Sequence, residues 1–289
     1  MTGGRVTSVT PSGRGRSGPA SGAPRRRRER APLPLAVPAA IAVAFLVLPL
    51  VGLLVRAPWS RLGELLAESS ALDALRLSLL TATAATVLSL FFGVPLAWVL
   101  ARSRSSAVRV LRALVTLPLV LPPVVGGVAL LLAFGRRGVL GQYLDLWFGL
   151  SLPFTTVGVV LAETFVAMPF LVVSVEGALR TADHGLEEAA ATLGSCPYAT
   201  FRRVTIPLIL PSVAAGSVLC WARALGEFGA TITFAGNRPG VTQTMPLAVY
   251  QAFQTSPDAA IALSLVLLLV SITVLALLRE WWLRPGDAR

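Results

Sequence analysis

The chain has 289 residues, 55% of them hydrophobic and only 13% charged, with a mean hydropathy of +0.74, where soluble proteins carry about 25% charged residues. A soluble globular domain of this length would need many more charges to cover its surface. The net charge is +11, all 25 basic residues are Arg, and the absence of Lys removes P-loop, Schiff-base and Ser–Lys chemistry.

The chain opens on a basic tail, residues 1–31, rich in Gly, Ser and Pro and ending in the run Arg25-Arg26-Arg27-Arg28-Glu29-Arg30. It has almost nothing apolar to bury and is expected to be disordered. A nucleic-acid arm and a cytoplasmic flank held at anionic lipid are both open to such a segment. The run stops where an apolar segment starts, which favours the membrane flank and no nucleic-acid partner. The apolar stretch Leu33–Val55 spans 23 residues, more than the roughly 7–15 of a signal-peptide core. Further spans follow it, so it reads as a retained helix.

Windows of about 20 apolar residues predict six spans, at 33–55, 75–100, 110–134, 155–179, 206–234 and 259–279. The third and fifth are interrupted by Pro and Gly. Arginines set the orientation: eighteen lie in the tail, the loops after spans two and four, and the C-terminal end, against five in the alternate loops. By the positive-inside rule both termini are cytoplasmic. Trp59, Trp147, Trp281 and Trp282 fall at span edges, where an aromatic belt sits. One His (His184) and two Cys (Cys196, Cys220) offer neither a metal site nor a disulfide framework.

The stretch 180–205 between spans four and five is the longest cytoplasmic loop. Leu186 to Leu193 is Ala- and Glu-rich, a good helix former, with Glu187 and Glu188 in the first turn. Gly194 sits where a C-cap belongs, and Ser195 is placed to cap a second short helix with Pro197 in its first turn. Two short helices at a sharp angle would make a compact knob suited to a socket on another protein.

The run Glu188-Ala189-Ala190, then Gly194, then Val204-Thr205-Ile206-Pro207, resembles the EAA loop of the permease subunits of ABC importers. The family pattern ends Ile-x-Leu-Pro, and this chain has Val204 and Ile206 there. The resemblance implies an all-α, six-helix type I importer permease bundle occupying 32–285, multi-pass in the cytoplasmic membrane. It implies that Glu187, Glu188, Ala189, Ala190, Gly194 and Pro207 belong to a coupling loop that docks in a cleft of a separate ATPase subunit. ATP and Mg are then bound by that partner. The resemblance implies neither a cofactor nor catalysis in this chain, in keeping with the missing Walker lysine. An ordinary amphipathic loop is the bland alternative.

Span five carries Leu225-Gly226-Glu227-Phe228-Gly229-Ala230-Thr231-Ile232-Thr233-Phe234, which resembles the permeases for sulfate and for molybdate or tungstate. The continuation through Thr242-Gln243-Thr244-Met245-Pro246, with Phe134-Gly135-Arg136-Arg137-Gly138 and Leu121-Pro122-Pro123, is most similar to the molybdate branch. The resemblance implies a homodimer, two copies of the ATPase and an external molybdate-binding protein, with alternating access as the mechanism. Sulfate or thiosulfate import is the nearest rival. An intramembrane enzyme has no motif to support it, and a passive channel or secondary transporter has no use for a coupling loop.

A dianion needs a polar path that binds weakly. Arg223, Gly226, Glu227, Phe228, Gly229, Thr231 and Thr233 are the candidates for that path or its gate, with Thr81, Thr83 and Thr86 in span two. The competing role for each small residue or Thr is helix packing and bonding to backbone carbonyls. Arg223 and Glu227, four apart, share a helical face, and pairing with each other is favoured over binding the anion. Glu163 is a second acid within a span, its partner left open. Pro122, Pro123, Pro169 and Pro211 allow kinks used in gating or in packing.

Overall fold

The computed structural model describes residues 33–282 except Glu68 and Arg104. The expected basic tail lies outside the described residues, as do the side chains of His184, Trp281 and Trp282. The chain divides into two units, residues 1–49 and 50–289. The described part of the first belongs to one helix, α1 (Leu33–Val55), whose residues from Leu50 on fall in the second and which is apolar along its length despite Pro38 and Pro49.

Every described element of the second unit is helical: α2 (Leu62–Leu66), α3 (Ser69–Arg102), α4 (Ser106–Val120), α5 (Pro123–Phe134), α6 (Gly141–Phe148), α7 (Thr156–Thr181), α8 (His184–Thr192), α9 (Pro197–Thr200), α10 (Ile206–Leu225), α11 (Gly229–Phe234), α12 (Met245–Thr255) and α13 (Pro257–Trp282). A π-helical turn, Phe201–Thr205, joins α9 to α10 without a break. Helices α3, α7 and α10 form the centre, with α7 innermost. Helix α7 is apolar over most of its circumference, as a helix enclosed by others tends to be, with the buried acids Glu163 and Glu176 as exceptions. Its buried Ala167, Leu171, Val172 and Val175 meet Ala82, Ala85 and Ala97 of α3 and Cys220 and Ala224 of α10. Small residues let these backbones approach: a Cβ on Gly216 of α10 would lie 2.9 Å from the Cβ of Ser174 on α7.

Among the described residues, five helical segments are long and apolar enough to cross a membrane: 36–55, 70–102, 156–181, 197–225 and 257–274. Two of the six expected spans are therefore corrected. The stretch 110–134 is broken at Leu121 and Pro122, both in extended conformation, leaving α4 and the 12-residue α5. The cause is local: a residue before proline is pushed out of the helical region, and Pro123 then serves as the first residue of α5.

The stretch 206–234 is displaced. The helix begins at Pro197, ends at Leu225, and gives way at Gly226–Phe228 to the short α11. Pro207 does not stop it because the turn before it is widened, with Ile206 N–H bonding to the Phe201 carbonyl. That widening accommodates a ring that would otherwise press on the carbonyl of residue 203.

Candidate functional site

Two groups of residues stand out, one around α8 and one around the break between α10 and α11. Helix α8 starts two residues before the expected Leu186, capped by Asp183, whose Oδ1 accepts from Gly185 N–H at 2.8 Å. Glu187 therefore closes the first turn, and Glu188 falls in the second. The C-terminus is a Schellman turn: Ser195 N–H bonds the Ala190 carbonyl and Gly194 N–H that of Ala191, both at 3.0 Å, with Gly194 at φ +83°. The expected Ser195 cap is not formed. Cys196 occupies that position without a side-chain bond, and Ser195 Oγ accepts from Thr200 Oγ1 at 3.1 Å. Pro197 does begin α9, but α9 is the first turn of the long helix through α10, so the knob holds one free-standing helix rather than two.

The two glutamates diverge. Glu188 is exposed, beside Leu186 and Leu193, the latter 88% exposed, and Tyr198 lies open across the turn. Glu187 turns inward, where its carboxylate takes the guanidinium of Arg102 at the end of α3 and accepts from Thr205 Oγ1 at 2.6 Å. Ala189 is exposed and Ala190 half-buried. Pro207 lies exposed in the first turn of α10.

At the second group Glu227 is 1% exposed and makes two charge-assisted contacts. Its Oε2 lies 2.6 Å from Arg223 Nη1, and its Oε1 accepts the Ala230 N–H at 2.7 Å, capping the first turn of α11. Gly229 is buried against α5, where a Cβ would lie 2.8 Å from that of Pro123. Thr233 packs on Gly127 of α5 and donates to the Gly229 carbonyl at 2.8 Å. Thr231 is fully buried, and its hydroxyl has no hydrogen-bond partner among the described residues. The exposed members are Gly226 and, in part, Arg223 and Phe228, whose ring meets that of Tyr250 at a tilt of 59° with centroids 5.2 Å apart.

The span-two threonines divide likewise. Thr86 donates to the Ala82 carbonyl, and Thr83 donates to that of Leu79 while accepting from Trp221 Nε1 of α10 at 3.2 Å. Thr81 donates to Glu163 Oε1 at 2.9 Å, which supplies the partner that the sequence leaves open. Pro169 is buried inside α7 and Pro211 exposed inside α10, and neither interrupts its helix.

Sequence reasoning missed Glu176, a buried acid that accepts from Arg112 Nε at 2.7 Å and pairs with Arg180 at 3.0 Å. The Glu176–Arg180 spacing of four in a last helical turn was the available signal. It also missed Arg102 and Thr205 as partners of Glu187, contacts between segments far apart in sequence.

Residues 90–283 match the family described as binding-protein-dependent transport system inner membrane component. The molybdenum transport system permease protein ModB of Mycobacterium tuberculosis is 55% identical over 238 residues, 82% of this chain and 90% of that protein. The probable sulfate transport system permease protein cysT of Zygnema circumcarinatum is 32% identical over 246 residues, 84% of this chain and 85% of that one. Among solved structures, a bacterial ABC transporter involved in the import of the acidic polysaccharide alginate matches with TM-score 0.70, covering 88% of this chain and 95% of its own, at 18% identity. That likeness shows a shared fold. The helical bundle with its apolar spans, the glutamate-bearing turn after α7 and the family match agree, and the chain belongs to the binding-protein-dependent inner-membrane permeases of ABC importers.

Proposed function

We propose that this chain is the membrane subunit of an ATP-driven molybdate importer, with tungstate as a second cargo. The observation that carries the reading is the 55% identity to the molybdenum permease across 90% of that protein's length, against 32% to the sulfate permease. In this reading two copies form the permease, two copies of a separate ATPase sit beneath it, and an external molybdate-binding protein delivers the anion. Helices α4 and α5 together make a sixth, interrupted crossing, and the exposed Pro122 and Pro123 at its break then face the second copy or a water-filled cavity, where a broken helix is tolerated at membrane depth. Both termini, and α8 with them, lie on the cytoplasmic side, where the arginine-rich loops belong.

The exposed Leu186 and Glu188 of α8, with the exposed Leu193 after it and Tyr198 of α9, give this turn the mixed apolar and charged surface that a docking site needs. ATP-driven closure of the ATPase pair then draws the two α8 helices together and turns the bundle from inward- to outward-facing. At the break after α10 the positive charge of Arg223 is compensated by Glu227. The path there attracts an anion without holding it, as passage requires. Selectivity then falls mainly to the external binding protein.

The test is ATP-dependent uptake of radiolabelled molybdate into proteoliposomes holding the chain, its ATPase and the binding protein, with and without excess sulfate. Uptake that resists sulfate is the expected result. Uptake that sulfate competes away moves the cargo to sulfate, and uptake indifferent to ATP overturns the coupling role of α8.

A further inference from the structure

Helix α8 has nine residues, too few to hold a shape or an orientation unaided. Its place is set by what Glu187 grips. Arg102, the last residue of α3, donates to the Glu187 carboxylate, and Thr205, the last residue of the π-helical turn leading into α10, donates to the same carboxylate at Oε1. The Glu187 side chain is only 16% exposed and that of Arg102 29%, so solvent screens this pair less than an open surface pair.

The grip extends further. Two residues before Arg102, the Leu100 carbonyl accepts from Arg112 Nη2 of α4 at 2.9 Å. The same guanidinium donates through Nε to Glu176 of α7, which Arg180 also holds. Charge-assisted bonds on the last turn of α3 thus tie it on one side to α8, whose Glu187 also takes the turn that begins α10, and on the other to α4 and α7.

We propose that Arg102 and Glu187 are a positioning pair that transmits the displacement of α8 to α3 and α10 during transport, distinct from the docking role of Glu188. Adjacent residues on a helix do not share a face, and the structure separates these two: Glu188 outward and exposed, Glu187 inward and bonded. A pull on α8 acts on α3 through Arg102 and on α10 through Thr205. The wide turn at Phe201–Thr205 is where α10 receives it, a helical irregularity of the kind often found at working sites. This rests on the reading that α8 docks the ATPase.

The experiment uses the complete complex in proteoliposomes with variants Arg102→Glu, Glu187→Arg, their double exchange, and Glu188→Arg. Retention of the ATPase on purification and the number of ATP hydrolysed per molybdate transported are both measured. Each single reversal at Arg102 or Glu187 is expected to keep the ATPase bound while raising ATP per molybdate at least about fivefold, the low end of a coupling between sites. The double exchange, which restores opposite charges, is expected to return most of that loss. Thr205→Val, which removes one of the bonds, should give a smaller rise.

Single reversals that hydrolyse and transport like the parent, or a double exchange no better than either single, overturn the proposal. So does loss of the ATPase from the Glu187→Arg complex, which would make Glu187 a docking residue. If a reversal fails to assemble, Glu187→Gln, which keeps an acceptor oxygen for Thr205 without the charge, is read by the same ratio. Retention of the ATPase by Glu188→Arg would count against the docking reading alone, and the ratio still tests the pair.

Discussion

Arg223 and Glu227 form an ion pair, Nη1 to Oε2 at 2.6 Å, while the second carboxylate oxygen caps α11 through the Ala230 N–H. One side chain thus joins the end of α10 to the start of α11 and cancels the positive charge beside the break. Glu227→Ala removes both functions and strands a partly buried guanidinium. A loss of about 3–5 kcal/mol, the cost of breaking a buried pair from one side, is expected in thermal unfolding in detergent. Glu227→Gln keeps an acceptor for Ala230 and leaves Arg223 uncompensated. Its expected signature is kinetic: a lower KM for molybdate with a lower turnover, because a path that holds its anion releases it slowly. Unchanged uptake kinetics would remove Arg223 from the path.

Gly127 is the tightest point between α5 and α11. A Cβ there would stand 1.6 Å from Thr233 Oγ1 and 2.8 Å from the Ala230 carbonyl. Gly127→Ala should cost about 1–3 kcal/mol, as overpacking does. Adding Thr233→Ala should restore only part, since the backbone carbonyl remains in the way. Full restoration, seen as a Tm equal to that of Thr233→Ala alone, would show that the side chain was the whole obstacle.

Cys196 is exposed at the turn after α8, and Cys220 is buried in α10. A membrane-impermeant maleimide should therefore label one site per chain in inside-out vesicles and none in right-side-out vesicles. Bound ATPase should slow the reaction, because Cys196 adjoins the exposed face of α8. Labelling from the opposite side would invert the proposed topology.

Glu163 is held by Thr81 inside the bundle, with no cationic side chain within ion-pair distance among the described residues. Glu163→Gln retains an acceptor of the same size for the Thr81 hydroxyl and should leave the Tm within a few degrees of the parent. Glu163→Leu removes the acceptor, and Thr81 keeps only a long contact to the Ser78 carbonyl at 3.4 Å. The expected loss is about 1–2 kcal/mol, that of an unmet buried donor.

Much of the architecture was legible because apolar runs report membrane helices directly. The predicted 33–55 matches α1, and 155–179 falls within two residues of α7 at each end. The misplaced elements share one cause. Hydropathy does not register whether a proline breaks a helix: Pro122 does so by forcing Leu121 into an extended conformation, while Pro207 is absorbed by a widened turn. At the candidate site, local signals were readable, such as the αL glycine after α8 and the Arg223–Glu227 spacing. The inward partners of Glu187 were not, since 85 residues separate it from Arg102 and the contact exists only once α3 and α8 have been brought together.

Helix α3 has 34 residues and the segment from Pro197 to Leu225 has 29, where a hydrocarbon core of about 30 Å needs roughly 20. At about 1.5 Å per residue, α3 is near 50 Å long. Even tilted by about 40°, about 10 Å of it stands clear of the acyl chains. The Arg102–Glu187 grip at its end can therefore sit beyond the acyl chains, so an ATPase can pull on the permease without entering the hydrocarbon core. Bilayer thickness then becomes a mechanical variable: thicker membranes submerge more of α3 and shorten the arm through which hydrolysis acts.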